Sequence, residues 1–376
     1  MSLQTEPAAP ASRRLDSLDA FRGLTIAGMI LVNNPGTWSS IYAPLRHAEW
    51  HGCTPTDLVF PFFLFIVGVA IELSLSRRVE RGDSRRDLLI KVATRSLILF
   101  AIGLFLNGFP YFNLAKLRIP GVLQRIAVCY AFAAALRLFM PTRALVAIAA
   151  ALLLGYWGLL EFTPPPGGVA GDLTREGSLP SWFDRQIFGA HTYKPEYDPE
   201  GLLSTIPAIG TTLIGIFVGA WLKSGRSGRS KVLGLIGGGL LLAVVGWLWD
   251  RAFPINKALW TSSFVVFTAG WAAFLLGCMY LIIDRLGWRR WSWPLRVFGL
   301  NPILAFVGSG LVARLMGLIH IPSGGKSVTL KAAIYQGAFG SIGDPQLASL
   351  LFAIAYVLFW FLLMWPLERR GIAVRV

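Results

Sequence analysis

Charged residues are scarce in this 376-residue sequence and make up 15% of it, whereas a water-soluble domain carries about 25%. This shortage excludes a disordered chain and an ordinary cytoplasmic enzyme. Cysteine is also rare, and Cys53, Cys129 and Cys278 lie too far apart to follow the spacing of a disulfide framework, a redox pair or a metal site. Histidine occurs only four times.

Hydrophobic residues make up 55% of the sequence and concentrate in long runs. A membrane-spanning helix needs about 20 mainly apolar residues, because unpaired backbone groups are not tolerated in hydrocarbon. We therefore predict an all-α, polytopic helical bundle of about ten spans in a lipid bilayer. The predicted spans are 18–34, 57–76, 90–107, 120–138, 144–161, 201–222, 232–249, 259–283, 295–316 and 346–365.

Basic residues outnumber acidic ones by 35 to 20 and sit in short clusters between the apolar runs. This pattern is typical of topology signals and argues against a nucleic-acid partner. If the chain has ten spans and both termini are cytoplasmic, the basic clusters lie on the cytoplasmic side of the membrane. The prediction is thus a cytoplasmic tail over 1–14 and a single membrane domain over 15–376, with outer loops near 35–56, 162–200 and 317–345.

Ionisable side chains inside a span are costly and are therefore candidates for function. Asp19 and Arg22 lie three residues apart in the first span, so they share a helix face. They either pair to anchor the helix or place Arg22 at a cavity that holds an anion. Arg125, beside Gln124, lies about a turn inside the fourth span and should face the bundle interior, whereas Arg118 can snorkel to the surface.

The loop after the first span places His47, Glu49 and His51 close to Asp57 at the start of the second span. The two histidines do not form a His-Glu-x-x-His helix motif, so we predict no metal. An imidazole beside carboxylates suits general base chemistry. Asp57 either orients that imidazole or serves the dipole of its helix. Asn33 either caps the first span or points its amide into a site.

Several sequence blocks, taken in order, share one resemblance. They are Leu18-Asp19-Ala20-Phe21-Arg22-Gly23, Asn33, His47-Ala48-x-Trp50-x-Gly52, Asp57-Leu58-Val59-Phe60-Pro61, Arg118-Ile119-Pro120-Gly121-Val122-Leu123-Gln124-Arg125, Tyr197-Asp198-Pro199-Glu200-Gly201 and Asn256-Lys257-x-Leu259-Trp260. Together they cover nearly the whole chain. The sequence resembles the heparan-α-glucosaminide N-acetyltransferase family and its bacterial homologues, within the transmembrane acyltransferases.

The resemblance implies an acyl-CoA-dependent N-acetyltransferase. It would take an acetyl group from cytoplasmic acetyl-CoA, its co-substrate, and pass it across the membrane to a small-molecule amino sugar. The essential histidine of the family falls on His47 and its site asparagine on Asn33. The resemblance leaves open whether the histidine is acetylated or acts as a base in direct transfer. On physical grounds, Asp57 or Glu49 would orient the imidazole, and Asn33 would donate to the developing oxyanion.

We also expect other residues of these blocks to bind the co-substrate and the sugar. Pantetheine would thread between helices toward the outer rim, with the phosphates of CoA at the basic inner side. For the co-substrate the expected contacts are Arg22, Asp19, Arg125 and Gln124. For the sugar they are Arg118, Glu49, Trp50, Asn256 and Lys257.

The sequence also departs from the family pattern. His51 stands where the family has asparagine, and the loop from Asn33 to His47 is a few residues longer. We also expect no large lumenal domain before the first span. The expected acceptor is then a bacterial envelope glucosamine derivative or a peptidoglycan fragment, and the expected location is the bacterial inner membrane. The animal relative implies a homodimer. A transporter or flippase for a sugar or lipid-linked sugar is the alternative, although no internal repeat is visible.

Overall fold

The computed structural model describes residues 15–323 and 326–374, and helices dominate this part of the chain. A two-stranded antiparallel hairpin, β1 (His320–Ser323) and β2 (Lys326–Thr329), is the exception. The predicted all-α class is therefore confirmed. The helices are α1 (Asp16–Asn33), α2 (Val59–Glu80), α3 (Arg85–Gly108), α4 (Val122–Phe139), α5 (Thr142–Phe162), α6 (Leu179–Phe188), α7 (Thr205–Lys223), α8 (Gly228–Trp249), α9 (Ser262–Met279), α10 (Trp293–Leu300), α11 (Pro302–Leu318), α12 (Leu330–Phe339) and α13 (Pro345–Arg369).

Within residues 15–323 and 326–374, eight helical segments are long and apolar enough to cross a membrane. Each of them overlaps one of the predicted spans. They are Pro55–Glu80, Arg85–Gly108, Val122–Phe139, Thr142–Phe162, Thr205–Lys223, Gly228–Trp249, Ser262–Arg285 and Pro345–Arg369. The chain is thus a multi-pass membrane protein, while the total of ten spans and the side that holds each terminus stay predictions.

The two remaining predicted spans deviate from simple apolar helices. The segment predicted over 295–316 is divided, because α10 ends at Leu300 and α11 begins at Pro302 with a bend of 72° between them. Proline cannot continue a helix hydrogen-bond ladder, which accounts for the break. The first span, α1, has 18 residues and includes Asp16, Asp19 and Arg22, so its composition is less apolar than that of the eight segments.

Glycines let several helices approach at backbone distance. A Cβ added to Gly68 of α2 would lie 1.9 Å from the carbonyl oxygen of Thr212, and one added to Gly215 of α7 would lie 2.1 Å from that of Phe65. Helices α1 and α10 meet in the same way through Gly23 and Gly299. Small residues at such contacts are typical of membrane helix pairs.

Replacing Gly68 with alanine should separate α2 from α7 and lower the free energy of unfolding by about 1–3 kcal/mol, the usual cost of overpacking. Thermal unfolding in detergent measures this loss. Gly237→Ala is the matched control, because a Cβ at this helical glycine meets nothing within 4 Å. Equal melting temperatures for the two variants would contradict the close contact.

Most of the candidate site residues lie at one end of the bundle. Helix α1 ends there, and α2 and α4 begin there. The loop between α1 and α2 includes short 3-10 turns at Ala43–Leu45 and Pro55–Leu58, and the long loop after α5 contains α6. The third predicted loop, 317–345, contains the β1–β2 hairpin and α12.

Candidate active site

His47 and Asp57 form a hydrogen-bonded pair at this end of the bundle. The His47 Nδ1 atom lies 2.6 Å from Asp57 Oδ1. The His47 side chain is 48% exposed, whereas that of Asp57 is 1% exposed. If Nδ1 carries the proton and donates a hydrogen bond to the carboxylate, Nε2 has a free lone pair. The pair therefore presents a proton acceptor to a cavity.

The second oxygen of Asp57 organises the loop that carries the histidine. Asp57 Oδ2 accepts hydrogen bonds from the backbone N–H groups of Ala48 (3.0 Å) and Thr54 (3.1 Å) and from the Thr54 hydroxyl (3.0 Å). Thr54 and Asp57 together form a capping box at the Pro55–Leu58 turn. Asp57 therefore contacts the imidazole and also caps the turn before α2. The structure is compatible with both predicted roles of Asp57.

Lys257 approaches the same pair from the segment before α9. Its Nζ lies 3.4 Å from Asp57 Oδ1 and 3.0 Å and 3.4 Å from the two ring nitrogens of His47. Because Nδ1 already faces the carboxylate, the ammonium pairs with Asp57 and lies alongside the imidazole. Lys257 lies 210 residues after His47 in the sequence, and its placement next to the His47–Asp57 pair indicates an organised polar site.

A cavity of about 490 Å³ surrounds these groups and is called the histidine cavity here. Asn33 lies in its wall, and its side chain makes no hydrogen bond within the described residues. An amide in this position can donate to a ligand. The residues predicted for the site that line the histidine cavity are Asn33, His47, Glu49, Trp50, Asp57, Arg118 and Lys257.

Arg118 is held in the wall by two carboxylates. It donates to both oxygens of Asp198, at 2.8 Å from Nε and 2.6 Å from Nη2, and also to Glu200. Burial lowers the pKa of Arg118, but the two carboxylates outweigh burial and raise that pKa above its ordinary value. Arg118 is therefore a permanent cation whose charge is balanced by the protein, so it fixes the shape of the cavity wall.

Aromatic rings and Arg175 form another part of the wall. The ring of Trp50 meets that of Tyr197 edge-on at 5.3 Å, and the Trp50 Nε1 donates to the Leu173 carbonyl at 2.8 Å. The Arg175 guanidinium lies 5.1 Å from the Trp50 ring and 5.3 Å from the Tyr197 ring, and donates to the Glu49 carbonyl at 2.7 Å. Flat rings beside hydrogen-bonding groups suit the apolar face and the hydroxyls of a sugar.

Arg125 and Gln124 lie behind the wall, away from the histidine cavity. Arg125 is buried, donates to the Gly201 carbonyl at 3.0 Å and to the Ser204 hydroxyl, and stacks on Trp260 at 5.0 Å. Gln124 packs against Gly103, where an added Cβ would lie 2.3 Å from its Oε1. Their placement supports α4, and their predicted contact with the co-substrate stays a prediction.

Asn256 shapes the turn that presents Lys257. It is fully buried, its Oδ1 accepts from the Leu259 N–H at 2.9 Å, and its Nδ2 lies 3.3 Å from His51 Nδ1. Burial lowers the pKa of His51. The structure thus gives Asn256 and His51 partners in the protein, and Asn256 does not line the histidine cavity.

A second cavity, of about 360 Å³, lies toward the other end of the bundle and is called the arginine cavity. It is lined by Arg22 from α1 and by Arg95 from α3, whose guanidinium lies 5.3 Å from the Tyr130 ring. Arg22 also donates to Asp19 at 2.9 Å. Arg22 therefore pairs with Asp19 and also lines a cavity, so the two predicted roles of this arginine are compatible.

An apolar collar separates the two cavities. A void of about 10 Å³ shares Met29, Val122 and Phe306 with the histidine cavity. With the arginine cavity it shares Phe63, Leu123, Ile126, Pro302 and Ile303. The two cavities therefore lie in series, with this small void and its apolar lining between them.

Comparisons with known proteins identify the family of the chain. A sequence model described as "Heparan-alpha-glucosaminide N-acetyltransferase, catalytic" matches residues 14–255. The chain belongs to this family. It is 32% identical to the heparan-alpha-glucosaminide N-acetyltransferase of Homo sapiens, over 78% of this chain and 52% of the relative. The Mus musculus protein of the same name is 31% identical, over 81% of this chain and 54% of the relative.

The chain therefore spans about half the length of the curated relatives it matches. The family match includes Asn33, His47 and Asp57 and ends at residue 255, immediately before Asn256 and Lys257. Lys257, whose ammonium lies next to the His47–Asp57 pair, is therefore outside the region that the sequence model matches. No group of three or more histidine, cysteine or acidic side chains suited to a metal occurs in the described ranges 15–323 and 326–374.

Sequence patterns do not single out Arg95 or Arg175 as functional residues. Arg95 lies on a helix whose first half carries several basic residues, so its position at a cavity is not distinguished by pattern. Arg175 lies in a long loop without periodicity. Their roles depend on contacts with residues that are distant in sequence.

Proposed function

We propose that this chain transfers the acetyl group of acetyl-CoA to the amino group of a glucosamine-type sugar, with donor and acceptor arriving from opposite ends of the bundle. The observation that carries the proposal is the His47–Asp57 pair, which opens into a cavity that Asn33 also lines. Membership in the family supports the reaction type. The donor would enter from the cytoplasmic side of a bacterial inner membrane.

The His47–Asp57 pair suits the chemistry of amide formation. An amine attacks a thioester through its lone pair, so it must lose a proton as the new C–N bond forms. His47 Nε2 accepts that proton, and the Asp57 carboxylate stabilises the resulting imidazolium. The Asn33 amide donates to the oxyanion. The C–S bond then breaks, and the CoA thiolate leaves with the proton that His47 returns.

The acceptor sugar fits the wall that Trp50, Tyr197 and Arg175 form. An amino sugar combines an apolar ring face with hydroxyls and an amine, and this part of the wall combines aromatic rings with a guanidinium and the Glu49 side chain. The site lies beside His47, so a bound sugar would hold its amine close to the base. This proximity accounts for part of the expected rate enhancement.

The arginine cavity fits the donor. Arg22 and Arg95 supply two cations for the phosphates of CoA, and the walls of the cavity are otherwise largely apolar, as the pantetheine arm requires. The arm must then pass the collar to reach His47. Phe306 and Ile303 lie on α11 just after the 72° break, so a small shift of that helix would open the collar.

Replacing Arg95 with glutamine should raise the KM for acetyl-CoA about tenfold and leave kcat within about twofold, because a charge-assisted contact to phosphate is lost without altering the His47 pair. Steady-state kinetics with varied acetyl-CoA measures both constants. Arg86→Gln, on an exposed earlier turn of α3, is the control. A lower kcat with an unchanged KM would place Arg95 outside the donor site.

Purified protein in proteoliposomes tests the proposed reaction directly. Radiolabelled acetyl-CoA is supplied on one side and glucosamine on the other, and the product is counted after separation. We expect labelled N-acetylglucosamine on the acceptor side. Uptake of labelled sugar with no acetylated product would favour a transporter and contradict the proposal. A panel of envelope sugars then identifies the preferred acceptor.

A further inference from the structure

A third cavity lies at the far end of the bundle from the histidine cavity, where α2 and α4 end and α3 and α5 begin. Its volume is about 390 Å³. Arg85 and Arg137 line it, and we call it the Arg85–Arg137 pocket. Its apolar wall consists of Leu75, Val79, Leu138, Phe139, Met140 and Pro141. It lies on another stretch of α2 from the arginine cavity and shares no lining residue with it.

Two acidic groups near the pocket, Glu72 and Glu80, already have cationic partners. Glu72 is buried and accepts two hydrogen bonds from Arg137, through Nε and through Nη2 at 3.0 Å. Glu80, in the pocket wall, pairs with Lys223. Arg85 makes no ion pair within the described part of the chain, so its charge is available to an anion.

The Glu72 pair also fixes Arg137 in position. Nε and Nη2 are engaged, and Nη1 makes no hydrogen bond within the described residues. Helices α3 and α5 start at the pocket, and neither Ser84 nor Pro141 caps its helix with a side chain. The positive ends of two helix dipoles therefore add to two guanidinium groups.

The rim of the pocket is apolar on the side that faces away from the protein. Phe139 is 52% exposed and Met140 is 42% exposed at the end of the membrane-spanning α4. Apolar side chains at this depth contact acyl chains, and arginines beside them lie at the level of lipid headgroups. A small soluble anion would use the arginines but leave this apolar rim without a partner.

We infer that the Arg85–Arg137 pocket binds the headgroup phosphate of an anionic phospholipid, with the acyl chains lying along Phe139 and Met140. Basic pockets between transmembrane helices bind anionic headgroups in this way, and guanidinium groups match phosphate oxygens in geometry. The inference does not depend on the proposed acetyl transfer, because the pocket and the arginine cavity use different residues.

Native mass spectrometry of the purified full chain tests this assignment, with phosphatidylglycerol and phosphatidylcholine offered in equal amounts. We expect selective retention of phosphatidylglycerol and about a tenfold weaker retention after Arg85→Gln, which removes one charge-assisted contact. Arg86→Gln is the matched control, one residue along the same helix and absent from the pocket lining.

A second variant removes the other arginine without leaving a buried charge. Arg137→Gln alone would leave Glu72 uncompensated and destabilise the fold, so we pair it with Glu72→Gln. This double variant should also lose selective lipid retention, and its melting temperature checks that it is folded. Folding with undiminished retention would overturn the inference.

Three other outcomes would overturn the inference. The first is equal retention of the two lipids, and the second is equal loss in Arg85→Gln and Arg86→Gln. The third is displacement of the lipid by inorganic phosphate or by CoA at low concentration, which would make the pocket a site for a soluble phosphate.

Discussion

Replacing His47 with alanine should lower the rate of acetyl transfer by about 100- to 10,000-fold at neutral pH, the usual contribution of a positioned acid–base group. In the proposed reaction the His47 imidazole, which lines the same cavity as Asn33, is the base, and alanine cannot accept the proton of the attacking amine. Initial rates with labelled acetyl-CoA and glucosamine measure the effect. His320→Ala is the control, because His320 lies in β1 outside the histidine cavity.

The same variant separates two roles of His47. In direct transfer, His47→Ala should slow the reaction with hydroxylamine less than the reaction with glucosamine. Hydroxylamine is uncharged at neutral pH, so its attack depends less on removal of a proton by the histidine. In a two-step reaction, wild-type protein without acceptor should release CoA stoichiometrically and retain the label on His47. Equal activity of wild type and His47→Ala with glucosamine would remove the histidine from the mechanism.

The helical architecture could be predicted because the bilayer imposes it. Apolar runs of spanning length define the eight spanning segments, and Pro302 accounts for the break before α11. The angle of that break depends on packing that no local pattern encodes. The first span was harder to define, because Asp16, Asp19 and Arg22 reduce its apolar character while α10 covers its backbone at Gly23.

Residues of the candidate site could be predicted from the sequence where a polar side chain lies near the end of a predicted span. Asp57 and Lys257 lie at or next to the starts of predicted spans and His47 lies in the loop before Asp57, and the structure brings the three within hydrogen-bonding or ion-pair distance. Arg125 shows the limit of this reasoning. A buried arginine must face the bundle interior, but the sequence does not tell whether that interior is a cavity or, as here, the Ser204 turn and the Trp260 ring.

The collar illustrates a feature that sequence patterns do not distinguish. Met29, Phe63 and Phe306 are ordinary apolar residues of spanning helices, and only their meeting point between two cavities gives them a role. Leucine or phenylalanine at a lipid-facing position would produce the same hydropathy. The partition of the bundle interior into two cavities is therefore a property of the packed helices.

Replacing Asp57 with asparagine should lower kcat by about 1,000- to 10,000-fold, comparable with the loss seen when the orienting aspartate of a serine protease triad is replaced in this way. The asparagine oxygen can still accept from the Ala48 and Thr54 N–H groups, so its amide nitrogen faces His47. Nδ1 then accepts a hydrogen bond, and the proton moves to Nε2. The imidazole is held in the tautomer that cannot serve as a base.

The effects of replacing Asp57 and His47 should be non-additive, since both residues act through the same imidazole ring. The double variant His47→Ala/Asp57→Asn should be no slower than His47→Ala alone, and its KM for acetyl-CoA should match that of wild type because the arginine cavity is untouched. Asp83→Asn, at an exposed ion pair with Arg78, is the control for the loss of a carboxylate. A double variant slower than His47→Ala by the full factor of Asp57→Asn would show that Asp57 acts independently of the histidine, as a stabiliser of the loop or a partner of Lys257.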